Sequence, residues 1–345
     1  MILENNIIEM KDRLWEYKYK ISGKTFLIIG GAGFLGKNIV WTLQKFNEEL
    51  YKKCKIIVLD NYITGDEIFK SDENIECIKH NIVDKFKTDK KIDYIINLAG
   101  IASPIFYSKY KLETLDTTIN GTRNILDMSL EHKCESVLFF STSEVYGNPT
   151  DENIPTPETY NGNVSCLGPR AHYDESKRLS ETLCATYADI FDTNVKIVRP
   201  FNVYGPGMRL DDGRGLVNIV KHAVLGKDLP IYGDGLSTRT WTYITDGIVG
   251  FMKILFSDEN GEAFNVGMDK REISTLDLAK LIKKLIKSKS EIVITKAPVR
   301  AYKKVNDVSR RCPDISKMRE RLKFKPEVDL ESGLKRTIDW IKGII

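Results

Sequence analysis

The chain has 345 residues, with 52 Lys and Arg against 48 Asp and Glu, a formal net charge of +4, and 42% hydrophobic and 29% charged residues. That is the composition of a globular protein of roughly two domains, long enough to bury about 75% of its unfolded surface without staples. The small net charge gives no electrostatic reason to expect nucleic acid or a membrane surface, and no apolar run approaches the ~18 residues of a membrane span.

The first 20 residues are charged throughout and lack the apolar stretch of a signal peptide. Ile7, Met10, Leu14 and Tyr17 recur at helical spacing, which predicts an amphipathic helix before the first strand. Residues 24–29 are a short apolar run that ends in Gly30-Gly31-Ala32-Gly33-Phe34-Leu35-Gly36. Ile39, Val40, Leu43 and Phe46 then follow a helical period. Residues 55–59 form a second β-rich run closed by Asp60, and further short apolar runs lie at 75–78, 94–98, 137–140 and 195–198. Helical patterns at 112–132 and 173–190 separate the later ones. Strands alternating with helices imply a parallel sheet with right-handed crossovers, covered on both faces. The fold class is therefore α/β, a Rossmann-type doubly wound parallel sheet. After Arg199-Pro200, Gly and Pro become frequent and helical patterns remain near 216–225, 246–256, 276–286 and 330–341. This predicts a smaller mixed α/β C-terminal domain that caps the strand ends. The expected division is a helical extension at 1–22, a dinucleotide-binding domain at 23–198 and a substrate domain at 199–345, with some later segments returning to the first domain.

Gly30, Gly33 and Gly36 stand between a strand and a helix, where glycine permits a tight turn and close approach to a pyrophosphate at the helix N-terminus. Phe34 and Leu35 share that turn. Asp60 ends the second strand, where a carboxylate can bind ribose hydroxyls and repels a 2′-phosphate, so NAD is favoured over NADP. Asn61 follows it. Leu98 and Ala99 end the fourth strand with room for a cofactor. Asn81 and Ile82 follow the third strand, where a polar side chain can meet an adenine or simply serve a turn.

Tyr173 and Lys177 are four residues apart and so share one helix face. A phenol is a poor base at neutral pH, and a nearby ammonium favours its phenolate. Thr142, in Ser141-Thr142-Ser143-Glu144-Val145-Tyr146-Gly147, supplies a hydroxyl to share the proton. Together they form a device for removing an alcohol proton while a hydride leaves the same carbon. The six cysteines form no CxxC pair, and the four histidines are dispersed. Free thiols in a reducing cytoplasm and no metal site are expected.

These motifs, together with Ala102-Ser103-Pro104, Gly168-Pro169-Arg170-Ala171-His172-Tyr173-Asp174-Glu175-Ser176-Lys177, Asp211-Asp212-Gly213-Arg214, Thr238-Arg239 and Arg310-Arg311-Cys312-Pro313-Asp314, resemble the extended short-chain dehydrogenase/reductases. The resemblance spans roughly 23–345 and falls in the nucleotide-sugar branch, most similar to UDP-glucuronate decarboxylases. It implies an NAD-dependent enzyme with a tightly held, recycled cofactor. Tyr173 would be the base, Lys177 its electrostatic partner, Thr142 the hydroxyl, and Ser143 and Glu144 the residues that vary between subfamilies. It implies a nucleotide-sugar contact, UDP-sugar favoured, by Ser103, Pro104, Tyr107, Asn202, Arg214, Arg239, Arg310 and Arg311, and a homodimer. The related 4,6-dehydratases typically carry Asp where this chain has Ser143, and C4-epimerases a small or apolar residue where it has Glu144. That substitution logic favours decarboxylation. A 4,6-dehydratase, epimerase or C4 dehydrogenase on another nucleotide sugar remains the alternative. A non-enzymatic NAD-binding scaffold is disfavoured because Thr142, Tyr173 and Lys177 are all kept. The chain departs from the decarboxylase pattern at His172 and Ser176.

Overall fold

The computed structural model describes residues 1–211, 213–295 and 308–345. In chain order the helices are α1 Ile2–Arg13, α2 Lys18–Ile21, α3 Phe34–Glu49, α4 Pro104–Lys109, α5 Lys111–Glu131, α6 Ala171–Phe191, α7 Gly215–Val224, α8 Ile244–Leu255, α9 Thr275–Ile286, α10 Ser316–Leu322 and α11 Leu330–Lys342. The strands of the central sheet are β1 Thr25–Ile29, β2 Lys55–Asp60, β3 Ile75–Lys79, β4 Tyr94–Asn97, β5 Ser136–Phe140, β6 Val195–Pro200 and, much later, β11 Ala263–Val266. Between and after these lie β7 Val203–Tyr204, β8 Leu229–Tyr232, β9 Thr238–Arg239, β10 Thr242–Tyr243, β12 Ile273–Ser274, β13 Ile292–Thr295 and β14 Arg310–Arg311.

The seven central strands run in the order β11-β6-β5-β4-β1-β2-β3, all parallel. Period-two alternation divides each strand between two cores. On β1, Phe26 and Ile28 face one layer, while Leu27 and Ile29 face the other. The first layer is built with α3 and α8, and the second with α5 and α6. The strand order reverses between β1 and β4, and in such sheets a ligand binds outside the carboxyl ends at that switch point. Ile29 of β1 is in register with Leu59 of β2 and Asn97 of β4, so three strand ends open at one level.

The later half of the chain is woven into this scaffold. Ala263 to Val266 pair with β6 as its outer neighbour, and α8 packs under β5 and β6. The remaining short strands form three small sheets, β10-β7, β12-β9-β14 and β13-β8. The amphipathic N-terminal helix is present as α1, and it packs on α3, α8 and α11. Its Arg13 guanidinium meets the wholly buried Asp246 of α8 at 2.8 Å. Asp246 also accepts the amide protons of Glu327 and Val328 at 2.9 Å each. Asn6 donates to the Tyr243 hydroxyl at 2.8 Å, and Trp15 stacks on Phe46 with ring centroids 5.5 Å apart. Among the described residues, no helix is long and apolar enough to cross a membrane.

Candidate active site

A cavity of about 480 Å³ opens at the carboxyl ends of β1, β4 and β5 and runs toward α7, β8 and β9. Gly30, Gly33, Phe34, Leu35 and Gly36 line its floor. Gly30 has φ +76, and a Cβ there would lie 2.9 Å from the Leu98 carbonyl carbon. A Cβ on Gly36 would lie 2.6 Å from the Gly30 oxygen. Only glycine lets the turn, β4 and the start of α3 come this close. Gly33 is the N-cap of α3, and no side chain caps that helix. Its first turn therefore faces the cavity as a ready anion cradle. Leu98 lines the cavity beside it.

Asp60 is buried at the end of β2. One carboxylate oxygen accepts the Ala32 amide at 3.0 Å and the other the Tyr62 amide at 2.8 Å, so it braces the glycine turn. Burial, partly offset by these amides, pushes its carboxyl above the usual range. Each oxygen keeps a lone pair for a further donor. Asn61 accepts the Ile63 amide at 3.1 Å, and Asn81 accepts the Val83 amide at 3.3 Å, both as local turn bonds. Ile82 is core, packed beneath Gly121. Ala99 donates its amide to Asn97 at 3.1 Å. The glycine cradle, the bare helix end and the carboxylate at the end of β2 fit a dinucleotide.

Thr142 follows β5, and its hydroxyl accepts the Glu144 amide at 3.2 Å, starting the one-turn helix Ser143–Tyr146. Tyr173 lies in the first turn of α6, buried, and lines the cavity with Thr142. Tyr107 stacks on Tyr173 at 5.2 Å. Burial pushes the phenol up to about 12. Lys177, one turn on, donates to the Phe140 carbonyl at 2.6 Å, and burial brings its ammonium down to about 8. This corrects one expectation. The expected lowering of the phenol is outweighed by burial of Tyr173. The three groups nevertheless line one wall, as do Ser143 and Glu144.

Glu144 is gripped from two sides. Arg311 of β14 reaches one oxygen at 2.7 Å, and Arg170, the N-cap of α6, is paired with the other. Burial alone would raise this carboxyl, but Arg311 and Arg170 hold it below the usual range. Arg311 also donates to Asn202 at 3.4 Å. Ser103, Pro104, Tyr107, Asn202, Arg214 and Arg239 line the same cavity. Arg214 lies over the Phe34 ring at 5.8 Å.

Arg310 is not brought to the site. It points to the other face of β14, paired with Glu272 at 2.8 Å and Asp151 at 3.3 Å. Neighbouring residues of a strand face opposite ways, so only one of the two arginines can reach the cavity. Asp212 lies outside the described residues. The sequence reading missed Arg170 and Asp174, although both stand in the quoted motif around Tyr173. It also missed the apolar far end, where Leu216, Val217, Pro230 and Tyr232 line the cavity.

Comparison with known proteins agrees with this geometry. UDP-glucuronic acid decarboxylase 6 of Arabidopsis thaliana is 37% identical over 94% of this chain and 91% of its own length. UDP-glucuronic acid decarboxylase 1 of Xenopus tropicalis is 36% identical over 92% of this chain and 72% of its own. The solved structure of an epimerase from Methanothermobacter thermautotrophicus superposes with a TM-score of 0.83 at 27% identity, covering 96% of this chain and 95% of that one. The glycine cradle, the Thr142–Tyr173–Lys177 wall and a family-model match over residues 26–267 lead to one conclusion: the chain belongs to the NAD dependent epimerase/dehydratase family.

Proposed function

We propose that the protein decarboxylates UDP-glucuronate to UDP-xylose through transient oxidation at C4. The observation that carries this is the wall beside Thr142. A 4,6-elimination needs a proton donor there to expel a hydroxyl. The position next to Thr142 is Ser143, which has no carboxyl, and Glu144 is held ionised by two arginines. Asp174 carries a raised carboxyl but does not line the cavity. The relatives named as UDP-glucuronic acid decarboxylases support the same reading.

Bound NAD, held at the turn of Gly30, Gly33 and Gly36 and by Asp60, would supply hydride-transfer chemistry at C4. Tyr173 takes the C4 hydroxyl proton, and Thr142 hydrogen-bonds the oxygen as its charge develops. The C5 carboxylate is then β to a ketone. The C5–C6 bond breaks, carbon dioxide leaves, and the electron pair passes to C5 and the C4 oxygen as an enolate. C5 takes a proton from solvent water, and Tyr173 returns its own proton to the C4 oxygen as the hydride comes back to C4. Arg214 and Arg239 offer cations to the diphosphate. Leu216, Val217 and Tyr232 offer an apolar seat for the flat base. Two copies are proposed to pair through α5 and α6, where Leu112, Leu179, Ile190 and Phe191 are exposed; light scattering reads the mass.

The test is a panel of UDP-, dTDP-, GDP- and CDP-linked sugars, including UDP-glucuronate, with products identified by NMR. Conversion of UDP-glucuronate to UDP-xylose in preference to the others is expected. Turnover of another nucleotide hexose with UDP-glucuronate untouched overturns the reading.

A further inference from the structure

Arg170 has an unusual position among the charges of the site. It is the N-cap of α6, the helix that carries Tyr173 and Lys177, and its carbonyl accepts the Tyr173 and Asp174 amides at 2.9 and 3.0 Å. Its guanidinium leaves that helix to pair with Glu144, and it shares Nη2 with Asp174 at 3.3 Å. Its Nε is buried without a partner. A buried guanidinium atom left unpaired costs stability, so this side chain is placed for its charge rather than for a complete set of bonds. Glu144 in turn is joined through Arg311 to Asn202 and the β9–β14 side of the cavity. One carboxylate therefore ties together the turn after β5, the start of α6 and β14.

We propose that Arg170 is a positioning residue for the reaction: it fixes Glu144 as an oriented carboxylate on the wall beside Thr142, and Asp174 shares its guanidinium. This rests on the decarboxylase reading and gives Glu144 a definite part in it. An anion gripped by two guanidinium groups cannot donate the C5 proton. Glu144 acts instead as a fixed negative hydrogen-bond acceptor that orients the sugar or a water. The C5 proton must come from another donor.

Every charged or titratable group that faces Glu144 enters the prediction. Arg170, Asp174 and Tyr173 face it from α6, Arg311 from β14, Arg239 from β9 and Tyr107 from α4. Removing Arg170 takes away one of the two paired cations. Glu144 should then ionise at higher pH.

The experiment compares wild type, Arg170→Met and Arg170→Lys through the pH profile of kcat on UDP-glucuronate. Arg170→Met should lower kcat by on the order of 100-fold and move the acid limb upward by about one pH unit or more. Arg170→Lys keeps the charge without the fork, so it should leave the limb near wild type while restoring part of kcat. An acid limb unmoved in Arg170→Met overturns the proposal even if the variant is slow, since a purely structural role lowers kcat alone. A second measurement needs no turnover. With ¹³C-carboxyl-labelled Glu, the Glu144 signal, assigned by its loss in Glu144→Gln, should titrate below the ordinary range in wild type and higher in Arg170→Met. If wild type does not decarboxylate UDP-glucuronate but the signal shifts as expected, the functional reading falls and the positioning role stands. If decarboxylation proceeds and the signal does not shift, the positioning role falls alone.

Discussion

The two ends of the cavity are built by different means. The dinucleotide end is made of backbone: glycines at a strand–helix turn, a helix N-terminus without a side-chain cap, and a carboxylate that braces the turn. The opposite end, where the sugar is proposed to sit, is made of long charged side chains from distant segments, knotted to one another through Glu144, Arg170, Arg311 and Asn202. Tyr173 and Thr142 stand at the junction. Backbone recognition is rigid and tolerates little change in shape. A side-chain knot is adjustable, and it can change the product without disturbing the fold. The contrast predicts that substitutions at the first end abolish cofactor retention, whereas those at the second end change rate, pH dependence or product while NAD stays bound.

The largest expected effect is at the junction. Tyr173→Phe should lower kcat by roughly 10²–10⁴-fold while NAD still copurifies, read from the nucleotide released on denaturation. Survival of near wild-type activity would remove the proposed base. Next is the N-terminal brace that ties α1 to the later half. Arg13→Met leaves Asp246 buried with no cation in place of Arg13 and should cost about 3–5 kcal/mol, read by denaturant unfolding. A loss below about 1 kcal/mol would show that Asp246 is already neutral in the folded protein. Gly36→Ala should weaken NAD retention more than it alters the fold, because its Cβ would meet backbone at 2.6 Å. Retention equal to wild type would break the contrast from the dinucleotide side.

A smaller effect is expected from pH. Burial pushes the Asp174 carboxyl up to about 7 from 3.8. A raised folded-state value means that the folded state holds the proton more tightly. The stabilisation from Asp174 is therefore full below about pH 4 and is lost as pH rises through 7. Asp174→Asn should flatten this slope in unfolding measured from pH 4 to 8; an unchanged slope would assign it to other groups. The smallest effect is Arg310→Ala, which should leave nucleotide-sugar affinity within about twofold, since the side chain faces Glu272 and Asp151. A large loss of affinity would show that it swings into the cavity.

The same contrast explains what could be read from the sequence. The glycine turn, Asp60 and the Tyr173–Lys177 pair are contiguous or at fixed spacing, so local geometry alone places them. The sheet was legible from its apolar runs, except β11, whose four residues carry no signal apart from their pairing with β6. Arg310 and Arg311 could not be told apart, because the choice depends on β14 aligning Arg311 with Arg239 of β9. Residues opposite one another in a ladder share a face. The role of Arg170 was hidden because its partner Glu144 lies in another element. The rise in the Tyr173 value was hidden too, since spacing shows the nearby ammonium and not the burial around it.

The most direct test of the account follows the label in UDP-glucuronate carrying ¹³C at C6, incubated with the purified protein and no added nucleotide. The account predicts that the label leaves as carbon dioxide, one for each UDP-xylose formed, with no net reduction of nicotinamide. Retention of the label in a 4-keto, 4-epimeric or unchanged sugar would contradict it.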